Sequence, residues 1–178
     1  MKKTLLMAAI LLLSTSMAYA QLGTTTPTGV LSVAVSAEAG LTVDTATTSL
    51  TSLGTNFSPY TGTTNLTYYI RTTKVGGSGT IVLEVTTDFS PANGPSVGSP
   101  PTGTDQLTYT PAIDPPGTAA GANQVASTGS STSVATFGAN AHSTFAGLDA
   151  TVAWTLTNDP LYETGTFTAT ITYTIAAV

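Results

Sequence analysis

The chain has no cysteine, one histidine and one tryptophan, and only 7% of its residues are charged. Without cysteine it can form no disulfide, thiolate nucleophile or Cys-based zinc or iron–sulfur site. Its basic residues are four, Lys2, Lys3, Arg71 and Lys74, against nine acidic ones. So little positive charge argues against a nucleic-acid partner, which needs several Lys or Arg to neutralise phosphates. It argues equally against a polybasic anchor on a membrane surface. No segment carries the helical period, and long runs of good helix formers are missing.

The first twenty residues have their own organisation. Lys2 and Lys3 make a basic start, residues 4–13 an apolar run, and Ala18-Tyr19-Ala20 a small-x-small site. This order is that of a secretory signal peptide, expected to cover residues 1–20 and to be cleaved before Gln21. An apolar run of about ten residues is well short of the roughly 20 that span a bilayer. The mature chain is therefore expected to have no membrane span and to be exported, either secreted or held at the cell surface. Residues 21–29, with Gly23, Pro27 and four threonines, are expected to form a flexible amino-terminal segment, and residues 30–178 one domain.

What the chain has in abundance is threonine, 39 residues of it, and strict alternation. Leu31, Val33, Val35 and Ala37 alternate with small or polar residues, and Leu41 and Val43 continue the period. So do Leu66, Tyr68 and Ile70, then Ile81, Leu83 and Val85, then Val152, Trp154 and Leu156. Near the end, Phe167, Ala169, Ile171, Tyr173 and Ile175 alternate with five threonines. Weaker strands are expected over 106–110 and 133–137. Period two with one apolar face is the pattern of half-buried strands, and β-branched threonine suits the outward face. About eight short strands predict an all-β chain, a single immunoglobulin-like antiparallel β-sandwich. Trp154, Phe167, Tyr173, Tyr68, Leu83 and Val33 are the expected core. The turn 75–79 is expected to close an antiparallel hairpin between the Tyr68 and Leu83 strands. The stretches 90–105 and 111–131, rich in Pro, Gly and Ser, are expected to be long surface loops.

Catalytic chemistry finds little support. His142 is the only imidazole and sits in a Gly/Ala/Asn loop, with Ser143 and Asp149 nearby in sequence. Gly94-Pro95-Ser96-Val97-Gly98 has the letters of a nucleophile elbow, but three prolines crowd it and no helical segment follows, which that motif requires. Glu84 and Asp88 lie four apart on one expected strand, unlike a carboxylate pair facing across a cleft. Asn158, Asp159 and Glu163 gather hard oxygens of the kind calcium prefers, yet Asn and Asp before Pro160 are ordinary turn residues. No enzyme activity, cofactor or metal is expected. The uncharged alternating runs over 31–37 and 166–175 are a different matter. Natural edge strands carry charges or proline against unwanted pairing, so these runs are either interior or kept open for another chain by strand addition. Leu31, Val33 and Val35 are the candidate assembly residues.

Two resemblances attach to these residues. The run from Val152 through Trp154, Leu156, Asn158 and Asp159 to Pro160 resembles the Trp-x-Leu motif of WxL surface domains, which implies a β-rich domain on a bacterial cell wall. The mature chain is similar in layout to secreted sandwiches of the pilin and spore-coat-U type, with an alternating segment behind the leader and a closing strand over 165–175. That resemblance implies subunits that polymerise by donating an amino-terminal strand. The expected function is thus a secreted bacterial surface or fibre subunit that forms homo-oligomers, with a monomeric adhesin or carbohydrate-binding module as the alternative and a surface glycan as a possible partner. Amino-terminal mass spectrometry of exported protein is expected to find Gln21 first, cyclised to pyroglutamate; a product retaining residues 5–13 contradicts the leader.

Overall fold

A computed structural model describes residues 29–98 and 105–178. The expected signal peptide and most of the flexible segment lie outside the described residues. Val35–Val178 form one compact unit. Nine strands follow in order: β1 (Glu38–Val43), β2 (Tyr60–Arg71), β3 (Gly79–Ser90), β4 (Leu107–Ile113), β5 (Thr118–Ala119), β6 (Gln124–Val125), β7 (Thr132–Phe137), β8 (Leu148–Leu156) and β9 (Thr168–Ala177). Among the described residues no helix is long and apolar enough to cross a membrane.

The strands form two sheets, β1-β2-β8-β4-β6 and β5-β7-β3-β9, with every pairing antiparallel. The chain is an all-β sandwich. Its core follows the alternation. Leu66, Tyr68 and Ile70 of β2, Val152, Trp154 and Leu156 of β8, and Leu107 and Tyr109 of β4 fill one inner face. Ile81, Leu83 and Val85 of β3 and Val134 and Phe137 of β7 fill the other. The rings interlock. Tyr109 and Trp154 lie 5.5 Å apart between centroids, and Tyr68 and Phe137 5.3 Å. Each polar tip in this core has a partner. Trp154 Nε1 donates to Thr64 Oγ1, Tyr109 Oη to Ser133 O, and Tyr68 Oη to Asp114 O. Those bonds remove the penalty that buried donors would otherwise carry.

Several expectations are corrected. Residues 31–37 form no strand, and Val33, 85% exposed, is not in the core. The β1–β2 ladder begins at Glu38↔Arg71, where β2 itself stops, so the pattern runs on past the last available partner. The turn 75–79 closes no hairpin, because β2 and β3 belong to opposite sheets. Their apolar faces meet across the core instead: a Cβ on Gly79 would lie 2.8 Å from Ile70 Cδ1. β8 and β9 are likewise split between sheets. Phe167 lies just before β9 and is half-buried, its ring seated where any side chain at Gly94 would have to go. Tyr173 is half-buried and packs against the core rather than within it. Pro111 is not the start of a loop but sits inside β4 opposite Val152. A proline is tolerated there because β6 pairs only with Thr108 and Tyr109, leaving the far side of Pro111 without a ladder partner.

Replacing Trp154 by Ala removes the ring packed at a tilt against Tyr109 and the hydrogen bond to Thr64 Oγ1, so it is expected to lower stability by about 3–5 kcal/mol. A chemical-denaturation midpoint equal to wild type contradicts this packing.

Candidate functional site

The four sheet edges are treated very differently. β5 and β6 are edge strands of two residues each, too short to template another chain. β1 has six residues and is guarded by Glu38, which pairs with Arg71 Nη2 at 2.8 Å. Beyond β1, residues 48–51 run along the start of β2. Thr51 bridges Thr61, and Gly62 lies so close to Ser49 O and Leu50 Cδ2 that a Cβ would fall within 2.8 Å of both. β9 has ten residues, no charge and no proline, and is paired on one side only, to β3. It carries neither charge nor proline of its own, and besides β3 the element packed against it is β1 of the opposite sheet.

Burial shows the same edge from the side. On β3, Ile81 and Leu83 have no exposed surface at all. On its neighbour β9, the inward residues Ala169, Ile171, Tyr173, Ile175 and Ala177 are all only half-buried. Their apolar row packs against β1 at the edge of the opposite sheet and stays partly exposed. Threonines fill the outward row, and Thr172 Oγ1 pairs with Thr86 Oγ1 at 3.0 Å across to β3. The Tyr173 hydroxyl is enclosed near Thr64 and Tyr109 with no well-formed hydrogen bond among the described residues, and burial pushes it up to about 12.

The second half of the candidate site is the segment before β1. Leu31 is fully exposed, Val33 nearly so, and Val35 well over half exposed. Three large alternating side chains in water are a standing hydrophobic liability unless something covers them. Leu31, Val33 and Val35 are therefore an apolar face without a strand, and β9 is an edge with a ladder partner on one side. Sequence reasoning found both runs. It could not see that the later one is an edge with a half-covered inner row, because alternation reads the same for an edge strand and an interior one.

The other candidate residues have structural employment. Ser96 Oγ donates to Asp88 Oδ2 at 2.7 Å, and the amides of Val97, Gly98 and Phe89 also donate to Asp88. The nucleophile-elbow letters thus belong to a loop folded around a carboxylate. Burial alone would raise the Asp88 carboxyl, but these four hydrogen bonds outweigh it and hold the group below the usual carboxylate range. His142 Nδ1 lies 2.9 Å from Asn140 O, and its backbone bridges Arg71 at the end of β2. Gly79 lies near that end of the sandwich, and Asp88 is nine residues further along β3, about 30 Å away at strand rise. His142 and Ser96 are therefore not brought together. The trio Asn158, Asp159 and Glu163 is also dispersed. Asn158 Nδ2 donates to Ser58 O, and Glu163 accepts from Asn93 Nδ2. Among the described residues no three His, Cys, Asp or Glu side chains gather as metal ligands.

No protein-family model, curated protein or solved structure matches this chain.

The Asp88 knot gives a pH prediction. A depressed carboxyl contributes stability that is present above its unfolded value, near 4, and lost as pH falls through the lower folded value. Asp88→Ala is expected to cost about 1.5–3 kcal/mol at pH 7. The gap from wild type should narrow as the pH drops below 4, measured by urea unfolding; a gap independent of pH contradicts the charged cap.

Proposed function

We propose that this chain is a secreted bacterial structural or surface protein, a self-associating fibre subunit whose copies join by strand-edge pairing. The observation that carries the reading is the match between an exposed alternating face at Leu31, Val33 and Val35 and the half-covered inner row of the β9 edge. The segment adds itself beside β9 of another copy, forms ladder hydrogen bonds with the free edge and turns its apolar residues inward. Burying each of the three fully contributes roughly 1.5–3 kcal/mol before the ordering and association costs of binding. Head-to-tail addition of this kind uses two different surfaces of one chain, so it propagates into a filament unless rotation closes a ring. The reading follows the pilin and spore-coat-U resemblance of the sequence, which implies subunits joined by a donated amino-terminal strand in an immunoglobulin-like sandwich. On this reading the protein is not an enzyme.

A monomeric adhesin or carbohydrate-binding module is the second reading, and one observation favours it. Phe145 is fully exposed in the loop before β8, next to Ala146, whose carbonyl accepts from the partly exposed Tyr69 hydroxyl. Aromatic surfaces of this sort supply stacking area at low entropy cost.

The discriminating experiment removes residues 21–37. Because no strand precedes Glu38 among the described residues, the shortened chain is expected to remain folded, to lose fibre formation seen by electron microscopy, and to bind a peptide of residues 30–37. Lysine at Ile171 and Ile175 should abolish that peptide binding. A full mature chain that stays monomeric at high concentration, without fibres, contradicts the proposal and leaves the adhesin reading.

A further inference from the structure

A second feature lies away from the assembly edge, where the start of β2, the start of β4 and the β8–β9 connection meet. Tyr60 pairs with Leu156, and Leu107 pairs with Leu156 from the other side. Past these pairs, Thr157 N donates to Gln106 O and Gln106 N to Thr157 Oγ1, which sets Asp105 beside the Asn158-Asp159 turn. Asp105 is 1% exposed and Asp159 8%. Fifty-four residues separate them in sequence, so no local motif announces the pair.

The oxygens of these two carboxylates can be followed one by one. Asp105 Oδ1 accepts from the Tyr162 hydroxyl. Asp159 Oδ1 accepts from Leu161 N at 2.8 Å. Asp105 Oδ2 is buried and has no hydrogen-bond partner among the described residues. A buried carboxylate oxygen without a donor is a costly state that native structures resolve with an ion, a proton or a water. Counter-charge is out of reach among the described residues. Among the described residues, Arg71, Lys74 and His142 are the basic candidates, and Arg71 closes the opposite end of β2, eleven residues from Tyr60. At strand rise that is about 36 Å. Burial raises the Asp105 carboxyl, the Tyr162 hydrogen bond lowers it in part, and the Asp159 charge raises it again. Tyr162, Tyr60 and the neighbouring Glu163 are neutral or anionic and supply no positive charge, and burial together with Asp105 drives the Tyr162 phenol strongly upward, keeping it a neutral donor.

We propose that Asp105 and Asp159 form a binding site for a hard divalent cation of the calcium type. The ion is held by Asp105 Oδ2 and by the Asp159 carboxylate, with carbonyl oxygens and water completing the six to eight ligands that calcium takes. Two carboxylates are a small ligand charge, which places the site in the weak range of extracellular modules, about 10⁻⁴–10⁻³ M. Bound there, the cation ties the start of β4 to the β8–β9 connection and removes the repulsion between the two buried charges. The site is independent of strand-edge assembly, since none of its residues lies on β9 or before β1.

Thermal unfolding of the full mature chain tests it, comparing EDTA with about 10 mM CaCl2. Calcium is expected to raise Tm by about 3–10 °C, the range that binding at this affinity gives in a domain of this size. Asp105→Asn and Asp159→Asn should each abolish the shift, and Asp105→Asn should match or exceed wild-type Tm in EDTA because it removes a buried charge. No shift in wild type, or a shift surviving in both variants, overturns the proposal. Should a variant fail to fold, terbium luminescence on the wild-type chain decides. Emission excited through tyrosine, displaced by calcium and weakened in Tyr162→Phe, supports the site; absence of such emission overturns it.

Discussion

The contact between the inner faces of β2, β8 and β4 on one side and β3 and β7 on the other is what the remaining structure depends on. Tyr68, Tyr109, Trp154, Leu83 and Val134 are all buried there, and their polar atoms are used within it. A chain with so few charges and no disulfide has little else to hold it together. Surface ion pairs contribute little in any case, and the pair across β1 and β2, Glu38 with Arg71, is exposed. Stability must come from buried apolar area, and so the placement of every apolar row becomes decisive.

That dependence explains why β9 is informative. A strand that belongs wholly to the core, like β3, has its inner row shut off from water. β9 has the same alternation, and longer, but its inner row is only half shut off. On the proposed reading, that row is where another copy's strand adds. The segment before β1 has the complementary deficit, with Leu31, Val33 and Val35 in solvent.

Much of the fold was legible in the sequence because period-two alternation is a direct consequence of strand geometry. It located the centres of β2, β3, β8 and β9 and identified Trp154 as a core residue. What it could not carry was partnership. The pattern over 31–37 announces a strand face without saying whether any neighbour exists, so it reads equally as core, with Val33 inside, or as an assembly strand. The turn 75–79 looks the same whether the chain turns within a sheet or crosses to the opposite one. Phe167 reads as the first inward residue of the last strand, yet its ring fills the space above Gly94 in a loop far away in sequence. The Asp105–Asp159 pair was invisible for the same reason, since only the β4–β8 register brings the two together.

The central claim, that the β9 edge is completed by residues 30–36 of another copy, is most directly tested by amide hydrogen exchange on assembled and dispersed protein. The account predicts that, on assembly, the outward amides of 168–177 and the amides of 30–36 slow together, while those of β1, β5 and β6 are unchanged. Assembly that protects another edge, or leaves β9 exchanging as in the monomer, contradicts it.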